Sequence, residues 1–103
     1  MQFQECRQAR LLRLVVGDRS LVGRAEWDAV LARSGPPVAL VALDLGGVEF
    51  ISSLFLESCV ELRRLLAERG QALVLVNLSP DHQRLLEALG GPGRLPVART
   101  RWS

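Results

Sequence analysis

Two apolar runs constrain this chain most. Val38 to Leu45 reads VALVALDL, and Ala72 to Leu78 reads ALVLVNL. Both are apolar at odd and even positions alike, so both faces of each strand are expected to be buried. Between them lies a helical pattern from about Ser53 to Arg69. Phe55, Cys59, Leu62 and Leu66 recur at helical spacing, with Leu56 and Leu65 widening that face. Glu57, Glu61, Arg64 and Glu68 fall mostly on the other side. Gly70 is placed to end the helix as a C-cap glycine. Strand, helix and strand in this order make a βαβ unit with parallel strands and a right-handed crossover.

The remaining segments extend that unit. Phe3 to Val16 holds two short strand-like pieces, FQECRQ and LLRLVV, with Gln8-Ala9-Arg10 as the turn region of a hairpin. Arg13 interrupts the second piece, so one face of it is expected at water or at a sheet edge. Gly17 to Ser20 is a turn cluster. A helix follows from Leu21 to Arg33, with Ser20 as candidate N-cap and Leu21, Ala25, Trp27, Val30 and Leu31 on its mixed face. Gly23 weakens it by about 1 kcal/mol relative to Ala. Ser34-Gly35-Pro36-Pro37 stops it, because proline cannot continue a helix. Ser79-Pro80-Asp81 opens another helix, with Ser as cap, Pro at the first helical position and an acid in the first turn. That helix runs to about Leu89, with Leu85, Leu86 and Leu89 inward, and Gly90 to Gly93 ends it. Leu95-Pro96-Val97 is compatible only with an edge strand, and Arg99 to Ser103 with a loose tail. The order β-β-α-β-α-β-α-(β) predicts a single layered α/β domain over residues 1–98: a mixed sheet of four to five strands with helices packed on it.

A chain of 103 residues, 49% apolar, is enough for one core without disulfide staples. Every basic residue is Arg, the formal net charge is only +2, and no arginine run is interleaved with aromatics. Direct nucleic-acid binding is therefore not expected. No apolar run approaches the roughly 20 residues needed to span a bilayer. No signal peptide pattern opens the sequence, and a cytoplasmic location with reduced thiols is expected.

Enzyme chemistry meets a shortage of parts. Without Lys, a Walker A loop and a Schiff-base lysine are excluded; Tyr is absent as well. Cys6 and Cys59 have no metal or redox spacing, and Cys59 falls on a core face rather than in the polar setting a nucleophile needs. His82, the one histidine, is expected as a solvated first-turn residue. A metal site would then need several non-His ligands, and no metal or cofactor is expected. Gly46-Gly47 follows a strand but precedes VEF rather than a helix, which does not suit a phosphate-cradling loop. Asp44 ends a central strand; an acid there most simply bonds the amides of the following turn. A small nucleotide-binding domain using Asp44 and these turns is the weakest of the functional alternatives.

Ser52 and Ser53 stand at the start of the long helix. One function of such a serine is capping, for about 1 kcal/mol. The other is accepting a phosphoryl group, which adds about −1.5 to −2 charges at a position the helix amides tolerate and a docked partner does not. The two are compatible.

Val38 to Val97 resembles the STAS domain family, that of bacterial anti-sigma factor antagonists. The matching residues are Leu43-Asp44-Leu45, Val48, Phe50, Arg69-Gly70, Leu73, Leu75-Val76 and Ser79-Pro80. The resemblance implies a non-enzymatic regulatory module that binds an anti-sigma factor or serine kinase of the switch-protein type. In that family an Asp-Ser-Ser-Gly motif opens the helix, and the serine after the aspartate is phosphorylated by the partner. Aligned from Phe50, that serine falls on Ser53, with Ser52 in the aspartate position and Leu54 and Phe55 in the last two. The resemblance thus implies Ser53 first and Ser52 second as phospho-acceptors, and Ser52, Ser53, Leu54 and Glu57 as the partner-binding face. The alternative is a constitutive scaffold or assembly subunit of the same fold that is never phosphorylated.

Overall fold

The computed structural model describes residues 3–8, 10–17, 24–90 and 95–98. Four strands lie side by side in chain order, β1 (Phe3–Gln8), β2 (Leu11–Val16), β3 (Leu40–Asp44) and β4 (Ala72–Val76). The β1–β2 hairpin is antiparallel, whereas β2, β3 and β4 form a three-stranded parallel unit. The connecting helices are α1 (Arg24–Arg33), α2 (Ser53–Ala67) and α3 (Pro80–Ala88). Ser20, Leu21 and Gly23, expected at the start of α1, lie outside the described residues, as does the tail from Arg99. The expected strand at Leu95-Pro96-Val97 is reduced to one parallel bridge, between Val97 and Leu75.

The alternation along the strands decides which face is covered. Leu12, Leu14 and Val16 of β2, Val41 and Leu43 of β3, and Leu73 and Leu75 of β4 form one buried cluster with residues from all three helices. From α2 come Phe55, Leu56, Cys59, Leu62 and Leu66; from α1 come Trp27 and Val30; from α3 comes Leu86. Each large apolar side chain in such a cluster contributes about 1.5–3 kcal/mol on burial. The Trp27 indole N–H would be costly to bury unpaired, and it donates to the Ser58 carbonyl at 2.8 Å, tying α1 to α2. All three helices therefore share one side of the sheet. Both faces of β3 are buried as expected, with the helices against one of them. On the other side the parallel register sets Arg13 beside Ala42 and Val15 beside Asp44. There Ala42 is small and flanked by Arg13 and Val74, and Asp44 is held by Arg13.

The helix ends follow their sequence signals. Ser79 caps α3 with Pro80 at the first turn. Beyond α2, Gly70 adopts φ 74°, and the Gln71 amide returns to the Leu66 carbonyl at 2.9 Å. A side chain at Gly70 would meet no steric obstacle, so glycine is required there for its dihedral alone.

Candidate functional site

The site is the turn from Leu45 to Ser52 and the first turn of α2. It begins at Asp44, whose side chain is only 6% exposed. Arg13 Nε donates to Asp44 Oδ2 at 3.0 Å, and a second guanidinium nitrogen, Nη2, donates to the same oxygen. Asp44 Oδ1 accepts from the Gly46 amide at 2.9 Å and from Asn77 Nδ2 at 3.1 Å. Burial pushes the Asp44 carboxyl up. The Arg13 hydrogen bond, then the Gly46 amide and Asn77, outweigh that and hold it below the ordinary carboxylate range. As expected, Asp44 bonds a turn amide, and both of its oxygens are engaged. At Gly46 a Cβ would lie 3.1 Å from Asp44 Oδ1 and 3.3 Å from Asn77 Cβ, so a side chain there would press both neighbours back by a few tenths of an ångström.

The turn is then pinned twice more. The Val48 amide donates to the Leu45 carbonyl at 3.1 Å, and the Val48 side chain is buried. His82 holds the next residue. It is 2% exposed, which overturns its expected place in solvent. Its Nδ1 accepts from the Ser79 amide at 3.3 Å, while the His82 amide donates to Ser79 Oγ at 3.1 Å, completing a capping box. With Nδ1 accepting, the ring proton belongs on Nε2, which sits 3.1 Å from the Glu49 carbonyl and donates to it. A first-turn residue of α3 thus fastens the loop that leads into α2.

That loop delivers Ser52 in extended backbone, φ −100° and ψ 164°. Ser52 Oγ accepts from the Phe55 amide at 3.0 Å, and the Ser52 carbonyl accepts from the Leu56 amide at 3.1 Å. Ser52 is therefore the N-cap. Ser53 is the first helical residue and is exposed. No acidic residue lies in the first turn of α2, so no carboxylate of that turn offsets the positive end of the helix dipole beside Ser53. Phe55 points into the core at 2% exposure, whereas Leu54 is 78% and Phe50 80% exposed. Glu57, one turn on, is exposed. The structure thus gathers Ser52, Ser53 and Leu54 at one helix start, with Glu57 following. To these it adds Phe50, which the sequence showed only as an apolar residue on the approach to the serines.

Other side chains weighed for chemistry are spent on structure. Cys59 is fully buried, and burial pushes its thiol well above the ordinary range. Among the described residues no group of three or more His, Cys, Asp or Glu could hold a metal ion, and no helix is long and apolar enough to cross a membrane.

The site so built is an exposed, partly apolar helix start on a layered α/β domain. Comparison with known families makes the assignment specific. The STAS domain matches residues 4–101, nearly the whole length, and the chain belongs to the STAS domain family. Among curated proteins no relative matches it.

Proposed function

We propose that this chain is a non-enzymatic regulatory module that binds a partner protein through the start of α2 and is switched there by phosphorylation of Ser53. The observation that carries this reading is the exposed Ser53 at a helix N-terminus whose first turn holds no acid, with Leu54 and Phe50 exposed on either side of it. Exposed large apolar side chains at one place suit a protein contact. The hydroxyl of Ser52 is occupied by its cap, which ranks it behind Ser53 as acceptor. The partner that fits the family is an anti-sigma factor or a serine kinase of the switch-protein type, meeting the module in the cytoplasm. A phosphate on Ser53 would be tolerated by the helix end, yet it would place about two negative charges against a docked apolar partner. In pull-down with the cognate kinase, Ser53→Asp is expected to weaken capture and Ser53→Ala to preserve it. Unchanged capture by Ser53→Asp would end the switch idea while leaving the docking face standing.

The capping geometry favours one second reading. Ser52 is fully accounted for as an N-cap, and Phe55 as a core anchor, without any phosphorylation. A constitutive scaffold or assembly subunit would keep both. Mass spectrometry of native protein with an unmodified serine pair under all growth conditions would support the scaffold.

A further inference from the structure

The serine pair follows the C-terminal end of β3. At the opposite end of the parallel strands, the segments entering β2, β3 and β4 enclose a cleft of about 330 Å³. Arg10, Pro37, Ala39, Arg69 and Gln71 are among the residues that line it. Its walls are tied together. The Ala39 and Leu40 amides donate to the Arg10 carbonyl at 2.8 and 3.2 Å. Gln71 Nε2 donates to the Ser34 carbonyl and, at 2.8 Å, to that of Val38. Arg69 Nη1 donates to the Leu31 carbonyl at 2.8 Å, and Nη2 to that of Ser34 at 3.4 Å.

The charge of this cleft is unbalanced. Elsewhere Arg13 pairs with Asp44, Arg64 with Glu61 and Glu68, and Arg84 with Asp81. Arg10 and Arg69 both line the cleft, and among the described lining residues there is no carboxylate. Arg69 bonds backbone carbonyls rather than a carboxylate, and Arg10 is exposed. Two guanidinium groups suit an oxyanion, because their planar donor forks match its geometry. A carboxylate neutralises one of them, whereas a phosphate monoester, at about −1.5 to −2 charges, matches both. The volume lies near the lower end of small-molecule sites, about 300–1,000 Å³, and leaves room beyond a phosphate group.

We propose that the cleft between Arg10 and Arg69 binds a small phosphate-bearing molecule. This site is independent of the serine pair, and ligand and partner can be bound together. The test titrates inorganic phosphate into the isotope-labelled full chain at constant ionic strength, followed by NMR, with acetate as control. Saturable shifts are expected at the amides of Ala39, Gly70 and Gln71 and at the guanidinium N–H groups of Arg10 and Arg69. Arg10→Gln, at an exposed position, is expected to leave the spectrum of the fold intact and to lower phosphate affinity about tenfold. Absence of saturable shifts, equal response to acetate, or an Arg10→Gln affinity equal to wild type would each overturn the proposal.

Discussion

Replacing Asp44 by Asn keeps the shape of the side chain and removes its charge. The structure sets the size of the effect. Asp44 is 6% exposed and Arg13 19%, so the substitution removes a largely buried negative charge from beside the guanidinium. A hydrogen bond to a charged group contributes about 1.5–3 kcal/mol, and breaking a fully buried pair costs about 3–5 kcal/mol. Arg13 is partly solvated, and Asn keeps an acceptor for the Gly46 amide, so the low end applies: about 2 kcal/mol. For a domain of this size that lowers Tm by roughly 8–16 °C. The pH dependence has a definite sign. The folded Asp44 carboxyl is held below its ordinary value. Such a group stabilises the fold above its unfolded pKa of about 3.9 and loses that contribution as pH falls through the folded value. Urea unfolding should therefore show a gap of about 2 kcal/mol between wild type and Asp44→Asn near neutral pH, closing below about pH 4. A gap under about 0.5 kcal/mol at neutral pH, or one that persists undiminished in acid, refutes the reasoning.

Two further outcomes are expected. Ser52→Ala should cost about 1 kcal/mol in chemical denaturation through loss of the α2 cap, whereas Ser53→Ala should stay within about 0.5 kcal/mol. His82→Ala should cost about 1–2 kcal/mol, since it removes half of the α3 capping box and the donor to Glu49. Hydrogen exchange should then speed up at Val48 and stay slow at Leu62.

The parts of the fold that were legible in sequence depend on neighbours in the chain. The two parallel strands, the inward face of α2, the Ser79-Pro80 helix start and the terminating Gly70 are all set by short-range periodicity or capping chemistry. What was hidden depends on partners far apart. Arg13 signalled only an interrupted strand; its pairing with Asp44, 31 residues on, needs the parallel register of β2 and β3. His82 looked like a solvated first-turn residue because nothing local announces a carbonyl 33 residues earlier as its acceptor. Both-parity hydrophobicity in Val38–Leu45 announced burial of both faces but not what lies against each. A small residue and an ion pair hide just as well between strands, and a sequence pattern does not distinguish these. At the site, the serine pair and Leu54 could be read directly. The exposure of Phe50 could not, because the turn that presents it is held in part by Asp44 and His82, which lie outside it.

The spatial order of the strands has a consequence for how this chain acquires its structure. Each strand lies next to its predecessor in the chain, and no strand must be inserted between two already paired. The β1–β2 hairpin can form first, and each later strand adds to an existing edge after a single helical crossover. Every closure is then short for a parallel sheet, which keeps the entropy of loop closure low and favours rapid folding. The growing sheet offers its next edge in the order in which the ribosome supplies the strand to fill it.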